Sequence, residues 1–334
     1  MTSPGGPDRL MLLDSASLYF RAFFGVPDQR SDPSQPPTNA LRGFLDMIAS
    51  LVTQFGPTHL VACWDNDWRP QWRVDLLPSY KAHRVAGAAD AAPEPAAGDA
   101  PDQAHPASDD TAAEEVPDDL APQVPVIADA LAALGIARLG ADGFEADDVI
   151  GTLATRARGR MAVDVVTGDR DLLQLVDDAA GVRVLYTGRG GVREPDLATQ
   201  DYLQERYAVS SGEAYLDMSV LRGDTSDGLP GVKGIGDKTA AALIADYGSL
   251  AALRKAVDDG DPAIKGARRT NLEAAAAYLD VAPTVVRVAR DAPVPDVDTA
   301  LPREVADPAL MSRIASEFGV TNSFNRVLSA LRID

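Results

Sequence analysis

Cysteine is almost missing from this 334-residue chain: Cys63 is the only one. That excludes a disulfide framework or a cysteine-built metal site within one chain, and a reducing compartment is expected. Cys63 lies in an apolar run and reads as a small buried residue rather than a nucleophile. Histidine is scarce too. His59, His83 and His105 are scattered, which argues against zinc. No apolar run approaches 18 residues, and the opening MTSPGGPD has no signal-peptide pattern, so a cytoplasmic protein without a membrane partner is expected. Basic residues are outnumbered, 31 against 50 acids, for a formal charge of −19. Taken alone, that argues against nucleic acid as a partner.

The acidity is unevenly placed, however. Residues 86–119 hold ten acids and no Lys or Arg. The rest of the chain carries 40 acids against 31 bases, a net of −9. A cluster of acids that binds cations accounts for most of that remainder, so local patches matter more than global charge. The 86–119 segment is rich in Ala, Pro, Asp and Glu, has little to bury, and is expected to be disordered. Residues 1–8 are expected to be a disordered leader.

Between these segments, apolar runs alternate with helical periodicity. RLMLLD, HLVACWD, GIARL, MAVDVVTGD and VRVLYT read as strands. Residues 39–54, 122–134 and the stretch after GFEADD read as helices, and DLLQLV begins another. Strands alternating with helices imply an α/β fold with a mostly parallel sheet flanked by helices. That core is expected over residues 9–200. From about 201 to 334 the pattern is helical throughout, apart from one glycine-rich loop within 214–248.

Three of the strands end in an acid: Asp14, Asp65 and Asp169. Parallel strands put their C-terminal ends on one edge, where ligand sites form. GFEADD adds Glu145, Asp147 and Asp148 at a helix start, and Asp171 follows Asp169 by two. Carboxylates so crowded repel each other by roughly 4 kcal/mol per pair at about 4 Å and an effective dielectric near 20. Hard divalent cations remove that cost. Oxygen-only ligands indicate Mg²⁺ or Mn²⁺, and this many suggest two ions about 4 Å apart, the arrangement that cleaves phosphodiesters. Asp147, Asp148 and Asp171 also suit ordinary helix starts.

The string LRGDTSDGLPGVKGIGDKTA joins two helices. Gly231, Gly234 and Gly236 permit positive φ and close backbone approach, so their N–H groups can converge with a helix N-terminus on a phosphate. Lys233 and Lys238 add charge without reading bases. Asp224 and Asp227, at the front of the loop, can reach the acids described above or cap turns.

These motifs resemble the 5′-nuclease superfamily, that is, flap endonucleases and the 5′→3′ exonuclease domain of bacterial DNA polymerase I. LLDSASLYFRAF, WDNDWRPQWRVDLLPSYKAHR, GFEADDVIGTLA, VVTGDRDLLQL and the glycine loop carry the likeness, from Leu10 to about Leu331. The resemblance implies a PIN-like core, a helical arch and a helix–three-turn–helix element. It implies two-metal hydrolysis of DNA with 5′ ends, flaps, nicks or gaps. Asp14, Asp65, Glu145 and Asp147 match its first metal set; Asp148, Asp169, Asp171, Asp224 and Asp227 match its second. Lys81 and Arg84, at the start of the arch, would stabilise charge at the scissile phosphate, and Arg21 and Arg73 would touch DNA. K⁺ at the glycine loop, a monomeric state, a separate polymerase as partner and a nucleoid-associated location complete these expectations. Gly228, where many relatives have Asn, departs from the pattern, as does the acidic insertion, which is expected to limit DNA access. A DNA-binding module without catalysis and a PIN-type ribonuclease remain alternatives.

Overall fold

The computed structural model describes residues 8–84, apart from 31 and 33, and 117–333. Nearly all of the leader and of the acidic insertion lies outside the described residues. Six strands form one sheet: β1 (Arg9–Asp14), β2 (His59–Cys63), β3 (Ala137–Leu139), β4 (Ala162–Thr167), β5 (Val182–Tyr186) and β6 (Asp196–Ala198). Their spatial order is β3-β2-β1-β4-β5-β6, and all pairs are parallel except β5 with β6. The continuous apolar runs follow from burial on both faces. Leu10, Leu12, Val163 and Val165 enter one core, while Met11, Leu13 and Val166 enter the other.

The first half of the chain also supplies α1 (Ser15–Gly25), α2 (Asn39–Phe55), α3 (Gln71–Leu76), α4 (Gln123–Leu134) and α5 (Ala146–Ala157). The second supplies α6 (Gln200–Tyr207), α7 (Gly212–Arg222), α8 (Asp237–Tyr247), α9 (Leu250–Asp258), α10 (Ala267–Ala274), α11 (Ala276–Val286), α12 (Pro308–Glu317) and α13 (Thr321–Leu331). Strand order reverses between β1 and β4. Ligands bind at such a switch point, outside the carboxyl ends of the strands.

Two local expectations need correction. DLLQLV forms a tight 3₁₀ turn, Arg170–Leu175, because the chain turns extended again at Val176 after only six residues. The region after 201 is not helical throughout. Residues 287–307 form no helix; they run back beside β2, where Leu60 N–H donates to the Thr299 carbonyl at 2.8 Å. The last two helices then join the core on the α2 and α4 side, burying Phe324, Val327 and Leu331.

Candidate active site

Asp14 closes β1 and caps α1. Its carboxylate accepts the Ser17 N–H at 3.2 Å and the Thr167 hydroxyl at 2.6 Å. Burial pushes its carboxyl up to about 7 against the pull of the Thr167 hydrogen bond, and repulsion from Asp65 and Asp169 adds to the rise. Asp65, two residues past β2, accepts the Ala146 N–H at 2.8 Å and so meets the start of α5. Asp169, two residues past β4, accepts the Asp171 N–H at 2.8 Å. Burial raises Asp147, Asp169 and Asp171 as well. Asp14 and Asp169 add to the rise at Asp147, Asp227 to that at Asp169, and Asp169 and Asp227 to that at Asp171. The strand ends, the α5 start and the 224–227 loop thus form one electrostatic group. Beside it lies a cavity of about 20 Å³, room for one water or ion, lined by Glu145, Asp147, Asp171 and Asp227. Among the described residues, no three or more His, Cys, Asp and Glu side chains are placed so that they could hold a metal ion as they stand.

Glu145 sits at the N-cap of α5. It accepts the Tyr80 hydroxyl at 2.8 Å and the Lys81 ammonium at 2.9 Å. Burial raises its carboxyl despite Lys81 and Arg73. Burial works against the Lys81 ammonium, yet Glu145, Tyr80 and Asp227 together outweigh it and hold Lys81 well above its ordinary value. Lys81 also has a φ of +47°, a left-handed backbone that costs a lysine about 1 kcal/mol. Its N–H donates to the Asp227 carbonyl at 2.9 Å.

Asp224 and Asp227 flank a single 3₁₀ turn after α7. Arg170 donates to Asp224 at 2.7 Å, and Arg84 to Asp227 at 2.8 Å. Burial would raise Asp224, but hydrogen bonds from Ser226 and Arg170 outweigh it and hold its carboxyl below the ordinary range. Gly228 is left-handed, φ +70°, and an added Cβ would stand 1.9 Å from the Ser79 carbonyl oxygen. Glycine here lets residues 79–84 dock on the loop. Farther along, Gly231 and Gly234 have φ of +62° and +74°, and a Cβ on Gly231 would meet the Arg222 carbonyl oxygen at 2.3 Å. Gly236 caps α8 with extended backbone and no side-chain hydrogen bond. Lys233 and Lys238 are exposed.

Residues 9–208 match the family described as 5'-3' exonuclease, N-terminal resolvase-like domain, and residues 210–308 match its C-terminal SAM fold. This chain belongs to the 5'-3' exonuclease family. A 5'-3' exonuclease of Streptomyces coelicolor is 54% identical over 321 residues, covering 96% of this chain and 99% of that protein. One from Mycobacterium tuberculosis is 50% identical, covering 96% and 97%. The fold is also that of the bacteriophage T5 flap endonuclease, solved with DNA and metal ions: TM-score 0.60, 18% identity, covering 97% of this chain and 99% of that one.

Within this exonuclease, two expected site residues are engaged elsewhere. Asp148 is fully buried, and its two oxygens take a bidentate pair from Arg73 at 2.7 Å together with the Ala289 and Glu145 N–H groups. Four donors occupy it, which corrects its placement among the metal ligands. Arg73 is 2% exposed, donates also to the Val285 and Arg287 carbonyls, and stacks on Trp72, which corrects its placement at the DNA. Arg21 is half-buried and donates to the Gly188 carbonyl at 3.3 Å. Tyr80, Thr167 and Arg170 were not anticipated. Thr167 ends a strand beside Asp169, and Tyr80 precedes Lys81, so position alone was the available signal. Among the described residues, no helix is long and apolar enough to cross a membrane.

Proposed function

We propose that this exonuclease hydrolyses DNA phosphodiesters at 5′ ends and flaps with two divalent cations, Mg²⁺ or Mn²⁺. The observation that carries the reading is the convergence of the acids: beyond burial, repulsion from neighbouring strand-end, helix-start and loop carboxylates raises Asp14, Asp147, Asp169 and Asp171. An oxygen-only set under that repulsion fits hard divalent ions. Asp14, Asp65, Glu145 and Asp147 would hold one, and Asp169, Asp171, Asp224 and Asp227 the other. Bound there, the ions would supply charge and Lewis acidity to the scissile phosphate.

The rest is done by the chain itself. Lys81 and Arg84 already stand on acids of the site, within reach of an anionic group that enters it. The left-handed glycines and the side-chain-free start of α8 present N–H groups to a phosphate backbone, and Lys233 and Lys238 add charge. None of these groups reads a base, so the preference is for DNA structure rather than sequence. The cytoplasm, beside the nucleoid, is where such a substrate lies, and a separate polymerase that leaves 5′ flaps is the partner class. The deciding experiment offers 5′-labelled flap, nicked and RNA substrates with Mg²⁺, Mn²⁺ or EDTA. Metal-dependent release of 5′ DNA products is expected. No cleavage with either metal, or cleavage of RNA alone, would overturn the proposal.

A further inference from the structure

The acids around the cleft are not neutralised alike. Asp14 is met by the Thr167 hydroxyl and the Ser17 N–H, and Asp169 by the Asp171 N–H, all uncharged donors. Asp224 and Asp227 each carry an arginine of this chain, Arg170 and Arg84.

Asp224 separates the task of holding a carboxylate in place from the task of neutralising it. Its Oδ1 is fixed by the N–H of Ser226 at 2.9 Å and by the Ser226 hydroxyl. Its backbone is tied to Leu229 in both directions, at 2.9 and 2.7 Å. Arg170 touches only Oδ2. Removing Arg170 therefore frees one oxygen and leaves the carboxylate where it is. Arg170 can also leave easily: its side chain is 44% exposed while that of Asp224 is 9% exposed. A long, solvent-reaching guanidinium can swing into water with its own charge hydrated, leaving Asp224 to an incoming cation. Arg73, held by two buried carboxylates and two carbonyls, has no such exit.

We propose that Arg170 is a resident counter-cation: it occupies Asp224 in the metal-free protein and surrenders that carboxylate to the second divalent ion, thereby setting that ion's affinity. This rests on the two-ion reading above. To take Oδ2 of Asp224 the second ion must displace an arginine. Competition for Oδ2 and repulsion between like charges act in the same direction, so Arg170 weakens the second site.

The test is calorimetric titration of the full chain with Mn²⁺ at fixed ionic strength. Wild type is expected to show a tighter and a weaker ion. In Arg170→Gln the weaker ion tightens about tenfold while the tighter one stays within about twofold, the change expected from removing one charge beside one site. Arg170→Lys, which keeps the charge, stays near wild type. An unchanged or weakened second ion in Arg170→Gln would overturn the proposal, since it would make Arg170 an orienting group. A single ion in wild type would instead overturn the two-ion reading, and this inference with it. Should Arg170→Gln fail to fold, the Arg170 Nε–H resonance of the wild-type protein carries the test. It is expected to move only in the second phase of a Mg²⁺ titration, and a resonance unmoved at saturation would overturn the proposal.

Discussion

The two sides of the cleft solve the same electrostatic problem differently. On the strand side, Asp14 and Asp169 are positioned by a hydroxyl and by backbone N–H groups, which fix geometry and leave the charge in place. On the loop side, Asp224 and Asp227 are paired with arginines, which supply charge as well as contact. Burial pushes the carboxyl of Asp14 up to about 7, whereas hydrogen bonds from Ser226 and Arg170 hold that of Asp224 down despite burial. Positioning and neutralisation are thus separable, and the side with position alone has the stronger demand for an external cation.

The largest effect is expected on the strand side. Asp169→Asn should lower cleavage of a 5′-labelled flap by about a thousandfold or more while its DNA affinity, read by fluorescence anisotropy, stays within about threefold. A matching loss of affinity would mean that this side also carries substrate binding. Next comes the contrast between buried and exposed ion pairs. Asp148→Ala strands the Arg73 guanidinium in the interior and should cost about 3–5 kcal/mol in urea melts. Arg170→Ala frees a solvent-reaching cation and leaves Asp224 on its Ser226 hydrogen bonds, so it should cost less, about 1–2 kcal/mol. Equal losses would erase the distinction between clamp and counter-ion.

A smaller effect is expected at the glycine loop. Lys238→Ala should weaken DNA binding several-fold, alike for all sequences, and lower the slope of log K against log salt by about one. Base-dependent losses would contradict a phosphate grip. The smallest effect lies at Glu213, whose carboxyl is held at about 2 by hydrogen bonds from Arg287 and, against burial, from Arg290. Its folded value lies below the ordinary 4.5, so its contribution is complete above about pH 4.5 and is lost as pH falls toward 2. Glu213→Gln should flatten the stability curve across that window in acid melts. The pair is half-exposed, so the change at neutral pH is under about 1 kcal/mol.

β1, β2, β4 and β5 were legible because their largely apolar runs are buried on both faces, and three of these runs lead at the sheet edge into an acid that apolar packing does not explain; β6, three residues with an exposed Leu197, offers no such run. The gathering of acids at that edge followed from parallel topology alone. Asp147 and Asp148 show where such reading stops. Adjacent residues on a helix point about 100° apart, so one faces the cleft and the other faces Arg73 beneath it. Nothing in the string EADD says which. Arg73 was misread for a related reason: its partner is 75 positions away and the carbonyls it serves are more than 200 away, so no local pattern records that it is buried. Arg170 escaped notice because its role depends on a loop 54 residues later.

The return of the last two helices bears on how the molecule is made. α2 lies within the first 55 residues, yet its apolar side is completed by Phe324, Val327 and Leu331. A ribosome makes these residues long after α2 has left it. Until then the nascent amino-terminal lobe presents a bare greasy flank, the kind of surface that chaperones hold and that unfinished chains stick by.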